Sequence, residues 1–224
     1  MFENEAPTPK SARTRARISD AAIASFLERG YADTTMRLIA ETAGVSVGNA
    51  YYYFPSKDHL VQELYVRVQR EHGDAARTAL ARERGLVDRL RAVVDTGLAT
   101  LQPYRSASSG FLTAMISPDS PINPLSRESG AARELTVELF REAVDGAPHR
   151  LPDDIARLLP DALFIAYLAI VLRWTYDSST AQRDTTRLAD AGFRLLAVAL
   201  PFVRVPGLHT AARELLTLVA EVRA

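Results

Sequence analysis

The sequence predicts an all-α protein, and three observations lead to this prediction. Apolar residues recur at helical spacing along most of the chain, and the alternating pattern of a β-strand is absent. Glycine, proline and N-cap residues divide the chain into helix-sized pieces. Apolar residues make up 47% of the 224 positions and charged residues 24%, as in soluble globular proteins, so we expect a folded core.

The first helix is predicted to follow a short polar tail. Residues 1–10 contain two prolines and are expected to be disordered. Ile18, Ala22 and Phe26 lie at positions i, i+4 and i+8, which places them on one face of a helix. Gly30 is positioned to end that helix in a left-handed cap.

Two short helices are predicted next. Thr34 or Thr35 can cap the second helix. Ser46 can cap the third, which is predicted over residues 47–53. Between them Gly44 can take a positive φ at low cost, as the turn of a helix-turn-helix requires. The inner face of the second helix is predicted to consist of Met36, Ile39, Ala40 and Ala43.

A long fourth helix is predicted to connect this segment to the rest of the chain. Pro55 ends the third helix and Ser56 can cap the fourth. Apolar residues at helical spacing continue to about Arg84. We therefore predict a small domain at residues 11–58 and a connecting helix at residues 59–85.

Residues 86–224 are predicted to form a second, all-helical domain. Three prolines between residues 117 and 125 mark a loop within it. Pro160 either kinks a helix or begins a new one. The predicted helices of this domain cover residues 86–101, 105–116, 129–144, 152–176, 183–203 and 208–222.

The third helix carries an unusual surface for a solvated helix. Beside Gly48 and Asn49 it contains three consecutive tyrosines at residues 51–53. Such a surface suits a nucleic-acid groove, where close backbone approach and hydroxyl donors are useful. Residues 10–57 carry seven basic and four acidic side chains, so the local charge is positive. The whole chain carries 27 of each sign, which excludes a polycation that binds through bulk charge.

From Thr34 to Leu60 the chain reads TTMRLIAETAGVSVGNAYYYFPSKDHL, which resembles the DNA-binding signature of the TetR family of bacterial transcriptional regulators. Seven earlier residues resemble the first helix of that family: Arg17, Ile18, Ala21, Ala22, Phe26, Gly30 and Tyr31. The resemblance covers about 50 residues and departs at Ala50, where a larger aliphatic residue is common. It implies a dimeric regulator of a palindromic operator, usually a repressor, that a small ligand in the C-terminal domain releases from DNA.

The resemblance also implies roles for individual residues. Those at the starts of the second and fourth helices would contact phosphates, and those on the third helix would face base edges or backbone. The DNA-binding residues implied in this way are Thr35, Arg37, Ser46, Val47, Gly48, Asn49, Tyr51, Tyr52 and Lys57. Arg13, Arg15 and Arg17 either contact phosphates or form a solvated helix start.

An enzyme is not indicated. The absence of cysteine excludes thiol catalysis, and the four histidines have no spacing typical of metal ligands. Residues 44–48 read GVSVG and match the G-x-S-x-G of hydrolases, but that motif follows a strand, whereas a helix is predicted here. We therefore expect no catalytic residue, no metal and no cofactor. The alternative is a helical ligand-binding protein or enzyme whose helix-turn-helix is vestigial.

Two C-terminal helices are apolar on more than one face. The first contains the longest apolar run, Ala162–Leu172, and the second contains Leu188 and Leu195. Each is either a central core helix or a helix that also packs against a second subunit, and the latter predicts a two-fold homodimer. The run is too short to span a bilayer and the N-terminus lacks a signal-peptide pattern, so we expect a cytoplasmic protein without a membrane partner.

Ligand contacts are predicted among the C-terminal helices, where large and mostly apolar side chains suit a site with few polar anchors. We expect a predominantly hydrophobic or aromatic ligand. The predicted ligand-binding residues are Tyr104, Phe111, Met115, Phe140, Phe164, Tyr167 and Arg173. Arg173 can instead pair with Asp177, four residues further on. A DNA-binding protein without ligand control is the second alternative.

Overall fold

The computed structural model describes residues 9–105, 111, 115, 117–148 and 150–221. Within these ranges the chain forms nine α-helices and no β-strand, which confirms the predicted all-α fold class. The helices are α1 (Pro9–Asp33), α2 (Met36–Thr42), α3 (Val47–Tyr53), α4 (Lys57–Leu80), α5 (Leu86–Leu101), α6 (Gly130–Asp145), α7 (Asp153–Thr175), α8 (Arg183–Ala199) and α9 (Pro206–Glu221).

Helix α1 differs from its prediction at both ends. Pro9 and Lys10, assigned to the tail by the sequence, already belong to α1, and residues 1–8 lie outside the described part of the chain. Gly30 interrupts the helix as predicted, but its φ of 81° and ψ of 169° lie outside the left-handed helical region. The predicted left-handed cap is therefore wrong, although the positive φ still favours glycine at this position.

The turn between α2 and α3 has the predicted helix-turn-helix form. The Thr35 hydroxyl accepts a hydrogen bond from the Leu38 amide at 3.2 Å and caps α2. The Ser46 hydroxyl accepts one from the Asn49 amide at 3.1 Å and caps α3. Gly44 has a φ of 64°, so the chain turns through the conformation that glycine adopts at least cost.

The core of the N-terminal helices includes residues from far along the chain. Phe26 and Phe54 are each 1% exposed in this core, and Phe111 and Ile122 are buried in it as well. The Phe111 ring meets the Phe26 ring edge-on, with centroids 5.4 Å apart, and lies 5.5 Å from the Tyr31 ring. The helix-turn-helix and the C-terminal half therefore share one hydrophobic core.

The loop that carries Ile122 is tied to α4. The predicted helix at residues 105–116 falls mostly outside the described residues, and of it Arg105, Phe111 and Met115 are helical. The predicted proline-rich loop follows, and residues 117–129 contain turns. The Tyr65 hydroxyl of α4 donates to the Ile122 carbonyl at 3.1 Å. The loop is thereby held at the boundary between the two halves of the chain.

A second core fills the C-terminal helices. Helix α4 enters it as one uninterrupted helix that ends at Leu80 rather than near Arg84. Helix α7 continues through Pro160, so Pro160 does not begin a new helix. The most completely buried apolar residues of this core are Ala76, Leu90, Val93, Leu139, Phe140 and Ala143.

Helix α7 is the one helix, within the described ranges, whose length and apolar composition would allow it to cross a membrane. The sequence analysis did not predict such a helix, because the longest apolar run has only eleven residues. In the structure α7 packs against α6 and α9, and 28% of its most apolar stretch is buried.

An apolar surface of α8 and α9 is exposed in the single chain. On another face of α8, Ala189 and Phe193 are buried in the C-terminal core. Leu195 is 71% exposed, so the core does not account for it. Exposed apolar patches of this kind mark interaction sites. The α8–α9 surface consists of Leu188, Leu195 and Val198 of α8, Phe202 of the connection between the helices, and Leu208, Leu215 and Leu218 of α9.

Candidate DNA-binding surface and ligand cavity

Helix α3 exposes large aromatic side chains, which is unusual for a helix that faces only solvent. Tyr52 is 80% exposed and Tyr51 is 49% exposed, although both rings carry a large apolar area. Gly48 and Asn49 are exposed beside them, whereas Ala50 on the other side of α3 is fully buried. The predicted DNA-binding residues that the structure exposes are Thr35, Arg37, Ser46, Val47, Gly48, Asn49, Tyr51 and Tyr52.

Lys57 differs from this exposed set because its side chain turns toward the protein. Its Nζ donates to the backbone carbonyl of Tyr31 at 2.6 Å and lies 4.0 Å from the centroid of the Tyr31 ring. Burial lowers the pKa of Lys57, although the nearby carboxylates of Asp58 and Asp33 oppose this shift. Lys57 therefore connects the start of α4 to the last turn of α1, after Gly30. Arg37, by contrast, is exposed and has no hydrogen-bond or ion-pair partner among the described residues.

Two of the three arginines at the start of α1 hold that helix to neighbouring elements of the N-terminal part of the chain. Arg15 Nη2 lies 2.7 Å from the Glu63 carboxylate of α4. Arg17 Nη2 donates to the Ala43 carbonyl, in the turn between α2 and α3, at 2.8 Å. Arg13 is exposed and has no such contact in the part of the chain that is described. Exposure fits both interpretations of Arg13, so phosphate contact stays a prediction for this residue.

A cavity of about 420 Å³ lies among α1, α4, α6, α7 and the segment after α5. This volume lies in the range of small-molecule sites. Five of the seven predicted ligand-binding residues line it: Tyr104, Phe111, Met115, Phe164 and Tyr167. Other apolar residues of the wall include Leu64, Val68, Leu101, Val171, Leu172 and Trp174.

Phe140 and Arg173, the other two predicted residues, do not line the cavity. Phe140 is 1% exposed in the C-terminal core, with its ring 6.1 Å from that of Tyr167. Arg173 Nη2 lies 3.1 Å from the Asp184 carboxylate and 3.9 Å from that of Asp177. The prediction was wrong for Phe140 because large apolar side chains also fill the core. It was wrong for Arg173 because the guanidinium pairs with Asp184 and, more distantly, with Asp177.

A buried polar network borders the cavity. Gln69 and Thr136 line the wall, and the Thr136 hydroxyl donates to the Gln69 side chain at 2.8 Å. Behind them His72 is 1% exposed, with Nε2 2.8 Å from the Val93 carbonyl and Nδ1 3.2 Å from the Gln69 amide. Burial lowers the pKa of His72, so its imidazole is neutral near pH 7.

Tyr167 packs against α5 with little space to spare. Its hydroxyl is buried and has no hydrogen-bond partner among the described residues. A Cβ atom placed on Gly97 would clash with this hydroxyl and crowd the imidazole of His72. Glycine at position 97 therefore sets the position of a ring that lines the cavity.

Buried, neutral His72 leads us to expect a loss of stability in acid. Because its pKa is lowered in the folded chain, the unfolded chain binds a proton more readily, and protonation favours unfolding. As the pH falls below about 6.5, the free energy of unfolding is expected to decrease, by at most about 1.4 kcal/mol per pH unit from this group. Urea unfolding at about pH 7 and about pH 5 measures the change.

Two histidine variants separate this effect from general acid sensitivity. His72→Gln is expected to lose less stability between the two pH values than the wild-type protein. His59→Gln is the matched control, since His59 is exposed and should leave the wild-type pH dependence intact. A wild-type pH dependence in His72→Gln would refute the assignment.

The contribution of α1 to the cavity was missed at the sequence level. Ile23, Phe26 and Leu27 of α1 line the wall, although the sequence placed α1 wholly in the helix-turn-helix domain. A signal was present, because Ile23 and Leu27 are four residues apart and give α1 a second apolar face beside the one that contains Phe26.

Two family models match the chain. Residues 18–64 match the model described as bacterial regulatory proteins, tetR family. Residues 89–203 match the model described as tetracyclin repressor-like, C-terminal domain. The HTH-type transcriptional repressor KstR of Mycolicibacterium smegmatis is 30% identical over 214 residues, which cover 88% of this chain and 93% of KstR.

Solved structures share the fold. FadR of Thermus thermophilus, a transcriptional repressor solved in complex with lauroyl-CoA, is 25% identical with a TM-score of 0.57, covering 82% of this chain and 93% of that one. The fatty acid degradation regulator FadR of Bacillus halodurans is 20% identical with a TM-score of 0.58, covering 82% of this chain and 94% of that one.

Proposed function

This chain belongs to the TetR family of bacterial transcriptional regulators and is a transcriptional repressor, and from this premise we propose that it binds a palindromic operator as a homodimer. We propose further that a small, mainly apolar ligand releases it from DNA by occupying the cavity. On this proposal the protein acts in the cytoplasm and catalyses no reaction.

The exposed surface of α3 is the observation that carries the proposed DNA contact. Its small Gly48 allows close approach to a groove, and the Asn49 amide can pair with an adenine edge. Tyr51 and Tyr52 offer hydroxyl groups to bases or phosphates. Arg37, near the start of α2, is placed to contact a phosphate.

Two substitutions separate phosphate contact from base recognition. Arg37→Ala is expected to weaken binding to all DNA sequences by a similar factor, and to flatten the slope of log affinity against log salt by about one unit. Asn49→Ala is expected to reduce discrimination between operator and scrambled DNA by about 1–3 kcal/mol. Gel-shift titrations with both duplexes over a range of salt concentrations measure these effects.

Arg82→Ala is the matched control for charge, because Arg82 is exposed beyond the C-terminal end of α4. Its affinity and salt slope should equal those of the wild-type protein. The surface assignment fails if Arg37→Ala and Asn49→Ala also bind operator and scrambled DNA as the wild-type protein does.

The α8–α9 surface supports the proposed homodimer. It is apolar and exposed on the last two helices of the described chain, as the face of a two-fold interface would be. A two-fold dimer would carry two α3 helices and would read half-sites about 34–36 Å apart.

The largely apolar cavity supports the proposed ligand control. The related repressor FadR of Thermus thermophilus, solved with lauroyl-CoA, supports a ligand with an apolar chain. In the proposed mechanism the ligand favours a conformation in which α4 is shifted and the two α3 helices no longer match the operator spacing.

A further inference from the structure

The cavity lies between α1 and α6, and these two helices contact opposite sides of α4. Arg67 and Gln69 are two residues apart in α4, so they point about 160° away from each other. Arg67 forms an ion pair with Asp20 of α1 at 2.6 Å, and Gln69 contacts Thr136 of α6 at 2.8 Å. Val68, between them in the helix, lines the cavity. One wall is therefore supplied by the DNA-binding half of the chain and another by the C-terminal half.

The two walls differ in polarity. The α1 wall consists of Ile23, Phe26 and Leu27, which are all apolar. The α6 wall carries hydrogen-bonding groups, and Arg133 is the only charged side chain that lines the cavity within the described residues. The polar residues on this side of the cavity, called the α6 wall here, are Arg133 and Thr136 of α6, Asn123 and Ser129 of the preceding loop, and Gln69 of α4, which contacts Thr136.

Arg133 is held in place by the loop before α6. Its Nη1 donates to the carbonyls of Pro124 and Ser126 at 3.1 and 3.0 Å. These bonds fix a guanidinium at the cavity wall, where a carboxylate or another acceptor group would be favoured and a cation disfavoured.

We infer that the ligand is an amphipathic molecule with a single anionic or hydrogen-bond-accepting head, bound with that head at the α6 wall and its apolar end against Ile23 and Leu27 of α1. The inference rests on the proposed ligand control and adds the class of ligand, its orientation and its direct contact with the DNA-binding half.

Direct contact with α1 gives a short route from the cavity to the DNA-binding surface. Arg17 joins α1 to the turn between α2 and α3 through the Ala43 carbonyl, and Arg15 joins it to α4 through Glu63. A ligand that displaces Leu27 therefore acts on the helix-turn-helix through α1 itself, in addition to any effect on α4.

Brominated fatty acids test the contact and the orientation, because bromine quenches tryptophan fluorescence only at short range. Trp174 is the single tryptophan of the chain and lines the cavity, so the reporter variants also carry Trp174→Phe. Leu27→Trp places a reporter on the α1 wall. Arg29→Trp is the matched control, since Arg29 is exposed on α1, does not line the cavity and, two residues after Leu27, points away from it. The probes are dodecanoate, 2-bromododecanoate and 12-bromododecanoate, all below their micellar concentrations.

The expected result is stronger quenching of the Leu27→Trp reporter by 12-bromododecanoate than by 2-bromododecanoate, by about twofold or more, because a pocket encloses most of a bound ligand. The Arg29→Trp reporter should be quenched weakly and equally by both. Equal quenching of the two reporters, or stronger quenching of Leu27→Trp by the 2-bromo acid, would overturn the inference alone. If dodecanoate does not raise the melting temperature of the wild-type protein, the proposed ligand class fails and the inference fails with it.

Discussion

Leu195→Arg is expected to convert the proposed dimer into monomers and to lower operator affinity by about 100-fold or more, since the second half-site no longer binds as a linked contact. Leu195 lies near the middle of the exposed apolar stripe of α8, with Leu188 before it and Val198 after it. In a two-fold interface the new guanidinium would be buried without a partner, at a cost of several kcal/mol. Sedimentation equilibrium and gel-shift titration measure the two effects.

Ala197→Arg is the matched control for this substitution. Ala197 is exposed on α8, but two residues along the helix it points away from Leu195, on the side that carries Arg194 and Asp190. The control variant should remain dimeric and bind the operator with wild-type affinity. A wild-type protein that sediments as a monomer at micromolar concentration would refute the interface, as would a dimeric Leu195→Arg variant.

Phe111→Ala is expected to lower the free energy of unfolding by about 3–5 kcal/mol, the usual cost of removing a buried aromatic ring. Phe111 is 8% exposed and packs against Phe26 and Tyr31 in the core of the N-terminal helices. The substitution should therefore destabilise the helix-turn-helix, although residue 111 lies outside the small domain predicted at residues 11–58. Urea unfolding followed by circular dichroism measures the stability.

Met115→Ala serves as the comparison, because Met115 lines the same cavity but is only half-buried. Its loss of stability should be clearly smaller than that of Phe111→Ala. Equal and small losses in the two variants would show that Phe111 does not join the two halves of the chain.

The helix-turn-helix could be predicted from sequence because its determinants are local. Thr35 and Ser46 cap α2 and α3 through backbone amides three residues away, and Gly44 supplies the positive φ of the turn. Such signals act within a few residues and can be read directly. The predicted bounds of α3 and α5 agree with the structure for the same reason.

The shared core and the α1 wall of the cavity could not be predicted in this way. Phe111 and Phe26 meet only after the chain has folded, and helical spacing does not state which distant element covers a face. The same holds for Lys57, whose contact with Tyr31 depends on the turn at Gly30. Residue type suggested a ligand role for Phe140, but the C-terminal core takes the ring instead.

Helix α4 runs without interruption from Lys57 to Leu80, so a small tilt at one end displaces the other end by several ångströms. Its 24 residues span about 36 Å. A tilt of about 5° about the Leu80 end moves the Lys57 end, and the helix-turn-helix attached to it, by about 3 Å. In a two-fold dimer the two helix-turn-helix motifs would move in opposite directions, so the distance between them would change by about 6 Å. This change is larger than the roughly 3.4 Å that separates neighbouring base pairs. A rotation small enough to leave the C-terminal core packed would thus be enough to shift the proposed dimer out of register with its proposed operator.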